Sequence, residues 1–127
     1  MKTLLALAAG GLAGTFARYF LAGAVQHASG AQFPFGTLAV NLTGCFLAGF
    51  LPVLADERFH LGLPGRILLI TGFCGAFTTF SALMIESDQL LRHGSFLKAF
   101  TNIFVSVAAG LLLFRAGVFL AEKLVLR

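Results

Sequence analysis

The side chains in this sequence that could do chemistry are mostly neutral, and they are set inside apolar surroundings. The run Thr71-Gly72-Phe73-Cys74-Gly75-Ala76-Phe77-Thr78-Thr79-Phe80-Ser81 holds two glycines and four hydroxyl residues in eleven positions. Asn41 closes the stretch Gly36-Thr37-Leu38-Ala39-Val40-Asn41, and Thr101, Asn102 and Ser106 follow in a later apolar segment. Asparagine NH₂ groups and serine or threonine hydroxyls are donors that suit an anion. A phenylalanine ring offers its positive edge to the same charge. A string of weak neutral donors can replace an ion's hydration shell without trapping it, as conduction requires. A small, hard anion fits this set best.

Catalysis would need a nucleophile with its base, paired carboxylates or a metal cluster. The three histidines, His27, His60 and His93, fall one to each polar connector, so no two share a helix face. Cys45 and Cys74 lie in separate apolar runs with no CxxC spacing, and read as small buried side chains rather than metal ligands. Asp56-Glu57 read as loop solvation. An enzyme is not expected. Nor is a nucleic-acid partner, because the nine Lys and Arg are scattered toward segment ends instead of forming a patch.

The elements that must position these donors follow from composition. Of 127 residues 58% are hydrophobic, against nine Lys or Arg and five Asp or Glu, too few to cover a soluble surface. Fifteen Phe with one Tyr and no Trp is a composition at home in hydrocarbon, though without the usual interfacial aromatics. A membrane span needs about 20 predominantly apolar residues, and four stretches qualify, at about 4–25, 35–55, 67–91 and 99–121. The whole chain, 1–127, is then a single all-α transmembrane domain with short connectors, so consecutive spans run antiparallel. The start Met1-Lys2-Thr3 before an apolar run also resembles a signal peptide, but that run continues to Val25, the length of a span. Four spans place both termini on one side with Lys2, Arg58, Arg66, Lys123 and Arg127, against Arg92 and Lys98 on the other. This favours cytoplasmic termini by a small margin.

Small residues mark close helix approaches. Gly10 and Gly14 form GxxxG in the first span, and Asn41, Cys45 and Gly49 recur every four residues in the second. Without a hydrophobic drive in lipid, helices associate through such packing and through interhelical hydrogen bonds. Asn41 therefore has two readings, interhelical glue or a group facing a cavity. The Thr71–Ser81 run likewise has two. Its composition weakens a helix, giving either a kinked but closed helix or a break near mid-membrane whose freed backbone lines a cavity.

Gly36-Thr37-Leu38-x-Val40-Asn41-Leu42 and Thr71-Gly72-Phe73-Cys74-Gly75-x-x-Thr78-Thr79-Phe80-Ser81, followed by Glu86, resemble the Fluc (CrcB-type) fluoride channel family. The four-span layout, the position of Arg18 and the chain length extend the resemblance over essentially the whole sequence. It implies a passive, fluoride-selective channel of the microbial plasma (inner) membrane that lets cytoplasmic fluoride escape and so protects the cell. It also implies an antiparallel, dual-topology homodimer with two pores, and a structural Na⁺ at the dimer centre held by the carbonyls of Gly75 and Thr78. On the fluoride pathway it places Asn41, Phe80 and Ser106, with Thr79 and Ser81 as further polar groups, Glu86 toward one pore mouth and Arg18 in the vestibule.

Two positions depart from the family pattern. Leu83 stands where a second Phe follows the first in TTFSTFS, which removes one aromatic edge from the pathway, and Ala76 replaces a common glycine. The competing reading is a small proton-coupled cation or multidrug exporter, also four-span and dimeric. Such a carrier needs an intramembrane carboxylate, and only Glu86 and Asp88, at the end of the third span, come near that requirement.

Overall fold

The computed structural model describes residues 1–126, so Arg127 and its contribution to the charge asymmetry lie outside the described residues. The chain is all-helical, with four helices long and apolar enough to cross a membrane: Lys2–Ser29, Phe35–Arg58, Leu63–Arg92 and Phe96–Val125. We label α1 as Lys2–Ser29, α2 as Phe35–Arg58, α3 as 63–77, α4 as Phe80–Arg92 and α5 as Phe96–Val125, with α3 and α4 together forming the third span. The helices are longer than the apolar stretches because helical hydrogen bonding continues into the polar ends, whereas hydropathy marks only the part suited to hydrocarbon.

Leu4, Leu5, Phe16 and Phe20 of α1 and Phe100, Phe104, Leu111 and Leu112 of α5 point outward and are exposed. In water this surface would aggregate, and in a bilayer it faces its proper solvent. The protein is a multi-pass membrane protein.

Two helices depart from regular winding. Pro52 inside α2 cannot donate a backbone hydrogen bond, and the chain continues as a wider π-helical turn over Leu54–Arg58. In α3 the segment Ile67–Cys74 is also π-wound, ahead of a short α-helical turn at Gly75–Phe77. Small residues let the backbones touch. A Cβ at Gly10 would fall on the Leu68 carbonyl oxygen and one at Gly14 on the Phe73 carbonyl oxygen, so α1 packs directly on the backbone of α3.

The α1–α2 connector is tied down by one side chain. Gln26 Nε2 donates to the carbonyls of Ala31 at 2.8 Å and Phe33 at 3.2 Å, while the Gly36 N–H donates to Gln26 Oε1 at 3.0 Å. Gly30, at φ 58°, ends α1 in the left-handed conformation that glycine adopts without strain. Gln26→Leu removes all three bonds and should destabilise the protein by about 2 kcal/mol, read as a lower melting temperature in detergent. Gln26→Glu should not rescue it, because a carboxylate cannot donate to the two carbonyls.

Candidate functional site: the interruption of the third span and its two grooves

Helical dihedrals stop after Phe77. Thr78 (φ −83°, ψ 156°) and Thr79 (φ −149°, ψ 109°) are extended, and the helix resumes at Phe80. Two side chains occupy the backbone groups that this leaves open. The Thr79 N–H donates to Asn41 Oδ1 at 2.8 Å, and Asn41 Nδ2 donates to the Thr79 carbonyl at 3.1 Å. The Asn41 carboxamide thus clasps both backbone groups of one residue, as a neighbouring strand would. The Thr79 hydroxyl caps α4 by accepting from the Ala82 N–H at 3.2 Å, and it shares a hydrogen bond with the exposed Ser81 hydroxyl at 3.2 Å.

These substitutions free two carbonyls. In an uninterrupted helix the Thr79 N–H would bond to the Gly75 carbonyl and the Ala82 N–H to the Thr78 carbonyl. Here the first is turned to Asn41 and the second to the Thr79 hydroxyl. The Thr78 N–H and its hydroxyl both donate to the Cys74 carbonyl, at 3.1 Å each, so that oxygen is occupied. Gly75 and Thr78 thus each lose the donor that a continuous helix would bring to their carbonyl, and carbonyl oxygens opened in this way suit a hard cation that takes oxygen ligands.

Two grooves flank the Asn41–Thr79 clasp, and Thr79 lines both. One, about 420 Å³, is bordered by Asn41, Gly75, Thr78, Phe80, Leu83 and Ser106, together with Cys45 and Cys74. Phe80 is 70% exposed there, while Leu83 is only 3% exposed and packs inward. Ser106 Oγ is buried and has no hydrogen-bond partner among the described residues. The other groove, about 660 Å³, is bordered by Arg18, Tyr19, Thr37, Glu86 and Gln89. There the Thr37 hydroxyl donates to Glu86 Oε1, and Glu86 Oε2 is buried without a partner among the described residues.

Of the residues singled out from sequence, Asn41, Gly75, Thr78, Thr79, Phe80, Leu83 and Ser106 therefore share one groove. Arg18 and Glu86 share the other, and Ser81 reaches the site only through Thr79. Both readings of Asn41 meet in one side chain, since it joins α2 to the interruption and also borders a groove. Sequence reasoning did not single out Thr37 or Ser87. Ser87 accepts from Asn102 Nδ2 at 3.1 Å, and Asn102 is fully buried, its Oδ1 without a partner among the described residues. The available signals were positional: Thr37 lies one turn before Asn41, and Ser87 follows Glu86 directly.

Comparison with known proteins gives a consistent result. The CrcB-like protein family, described as camphor resistance (CrcB), matches residues 5–118. A protein of Chlorobaculum tepidum named fluoride-specific ion channel FluC is 48% identical over 122 residues, which cover 96% of this chain and 96% of that protein. Proteins of the same name from Desulforapulum autotrophicum (43% identical, 91% of this chain and 93% of theirs) and Geobacter sulfurreducens (43%, 98% and 100%) are similar end to end. With the motifs around Asn41 and Thr79 set in one site and the match running nearly the length of the sequence, this chain belongs to the CrcB-like family.

Proposed function

We propose that this chain is a fluoride-selective passive channel of the plasma (inner) membrane that lets cytoplasmic fluoride leave the cell. The observation that carries the reading is the interruption at Thr78–Thr79, clasped by Asn41 between two grooves, one offering the uncommitted Ser106 hydroxyl and the other holding Arg18 beside the Thr37–Glu86 pair. Relatives named fluoride-specific ion channel support it over most of the chain. Fluoride would enter from the Arg18 side, where a cation raises the local anion concentration. It would then cross beside Thr79 to the groove where Phe80 offers a ring edge and Ser106 an uncommitted hydroxyl. Leu83 supplies no ring edge, so the Phe80 ring carries that contact alone.

The working unit in this proposal is an antiparallel homodimer with two pores. A single subunit leaves Phe80 and Gly75 exposed on an open groove, which a second copy would close. Two free carbonyls per subunit, those of Gly75 and Thr78, would meet their symmetry mates and hold a structural Na⁺. That ion supplies fixed positive charge near the anion route without a lysine in it.

The cellular test is growth. Expression in a fluoride-sensitive bacterial strain should restore growth on fluoride, and Phe80→Ile, expressed to the same level in the membrane, should restore it at least about tenfold less well in tolerated concentration. A tenfold change corresponds to about 1.4 kcal/mol, within the range of one aromatic contact. Equal protection by Phe80→Ile would remove the ring from the pathway. A proton-coupled exporter would instead depend on its membrane carboxylate.

A further inference from the structure

A third groove, about 490 Å³, opens between the beginnings of α2 and α5. Phe33, Phe35 and Leu38 form one wall, Thr101 and Val105 the other, and Lys98 is the only charged residue on its lining. Lys98, Thr101 and Val105 are spaced i, i+3, i+7, so they form one stripe that descends from the polar end of the helix into its apolar length. Among the described residues the ion pairs are Arg66–Asp56 and Arg92–Asp88, and Lys98 has no acidic partner. Ser95 gives α5 no side-chain cap, so Lys98 adds positive charge to the positive end of the helix dipole with nothing to offset it.

We propose that this groove binds one anionic phospholipid of the surrounding bilayer, with its phosphate on Lys98 and the upper part of an acyl chain against Phe35, Leu38 and Val105. The chemistry is complementary at both ends. A cation at headgroup depth selects an anionic lipid, and the wall beneath it is apolar. A second copy of the chain is the less suitable occupant, because the α5 residues that border the Phe80 groove, Ser106, Val107 and Phe114, lie round the helix from this stripe.

The chain contains no tryptophan, so one introduced at Leu97, an exposed rim position, reports this groove alone. The full-length Leu97→Trp protein is reconstituted in vesicles containing equal mole fractions of brominated phosphatidylglycerol or brominated phosphatidylcholine, and fluorescence quenching is compared. Phosphatidylglycerol should be preferred roughly fivefold, the size expected for one lysine at a lipid surface. Lys98→Gln should bring the ratio to about one. Tryptophan at Leu112, exposed further along α5, should show no preference in either background. A ratio of one at Leu97→Trp, or a preference that survives Lys98→Gln, overturns the proposal. So does the absence of quenching by either lipid, which would give the groove to a second copy. Fluoride flux is not read in this assay, so its failure leaves the channel reading untouched.

Discussion

Asn41→Leu should lower fluoride efflux from proteoliposomes by about thirty- to a hundredfold while leaving α2 helical. Leucine nearly matches the size of asparagine but offers neither donor nor acceptor. The Thr79 N–H and carbonyl, now bonded to Asn41 at 2.8 and 3.1 Å, would both be left open. An unsatisfied buried polar group costs about 1–3 kcal/mol, and each 1.4 kcal/mol that reaches the permeation barrier is tenfold in rate. The extended pair Thr78–Thr79 would then have reason to fold back into the helix, taking the free carbonyls of Gly75 and Thr78 with it. Asn41→Asp should be nearly as damaging for a different reason. Its carboxylate could still accept from the Thr79 N–H, but it would face the Thr79 carbonyl with an acceptor and place negative charge beside the anion route. The check is a fluoride-electrode trace normalised to folded protein. Efflux of Asn41→Leu within threefold of the parent would mean that the clasp does not hold the pore.

Gly117→Val and Gly49→Val should each abolish the monodisperse protein, not merely slow it. The two glycines sit on facing sides of the α2–α5 contact. A Cβ at Gly49 would fall on the Phe114 carbonyl oxygen, and one at Gly117 on the Phe46 carbonyl oxygen. Overpacking ordinarily costs about 1–3 kcal/mol because side chains can shift aside. Here the obstacle is backbone on both sides, so relief requires the helices to separate, and lipid offers no hydrophobic drive to hold them once their packing is lost. The loss should therefore reach or exceed the top of that range. Gly11, where a Cβ would meet nothing within 4 Å, is the control. Gly11→Val should elute from a sizing column as the parent does. Equal behaviour of Gly11→Val and Gly117→Val would contradict the close approach.

The four spans were legible in the sequence because length and hydropathy are sufficient for a helix that must satisfy its own backbone in lipid. The residues of the site were legible as types, since Asn41, Thr79 and Ser106 are polar in apolar surroundings, but their partners were not. Asn41 meets Thr79 across 38 positions and Thr37 meets Glu86 across 49, separations at which no periodicity links the residues. The composition of Thr71–Ser81 does not say which residues leave the helix. That is decided at Thr78 and Thr79 by what Asn41 presents from α2. Gln26 lies just past the apolar stretch 4–25, where hydropathy points to no partner, and makes three hydrogen bonds to the backbone around it.

Fluoride should pass the Thr78–Thr79 interruption passively. The direct measurement loads liposomes reconstituted with the purified protein with fluoride and chloride together, and follows both ions with selective electrodes after dilution, with potassium and valinomycin present to carry the compensating charge and no proton gradient imposed. Rapid efflux of fluoride with chloride retained is the expected result. If fluoride stays inside, and the same vesicles exchange an organic cation for protons, the protein is a carrier and not a fluoride channel.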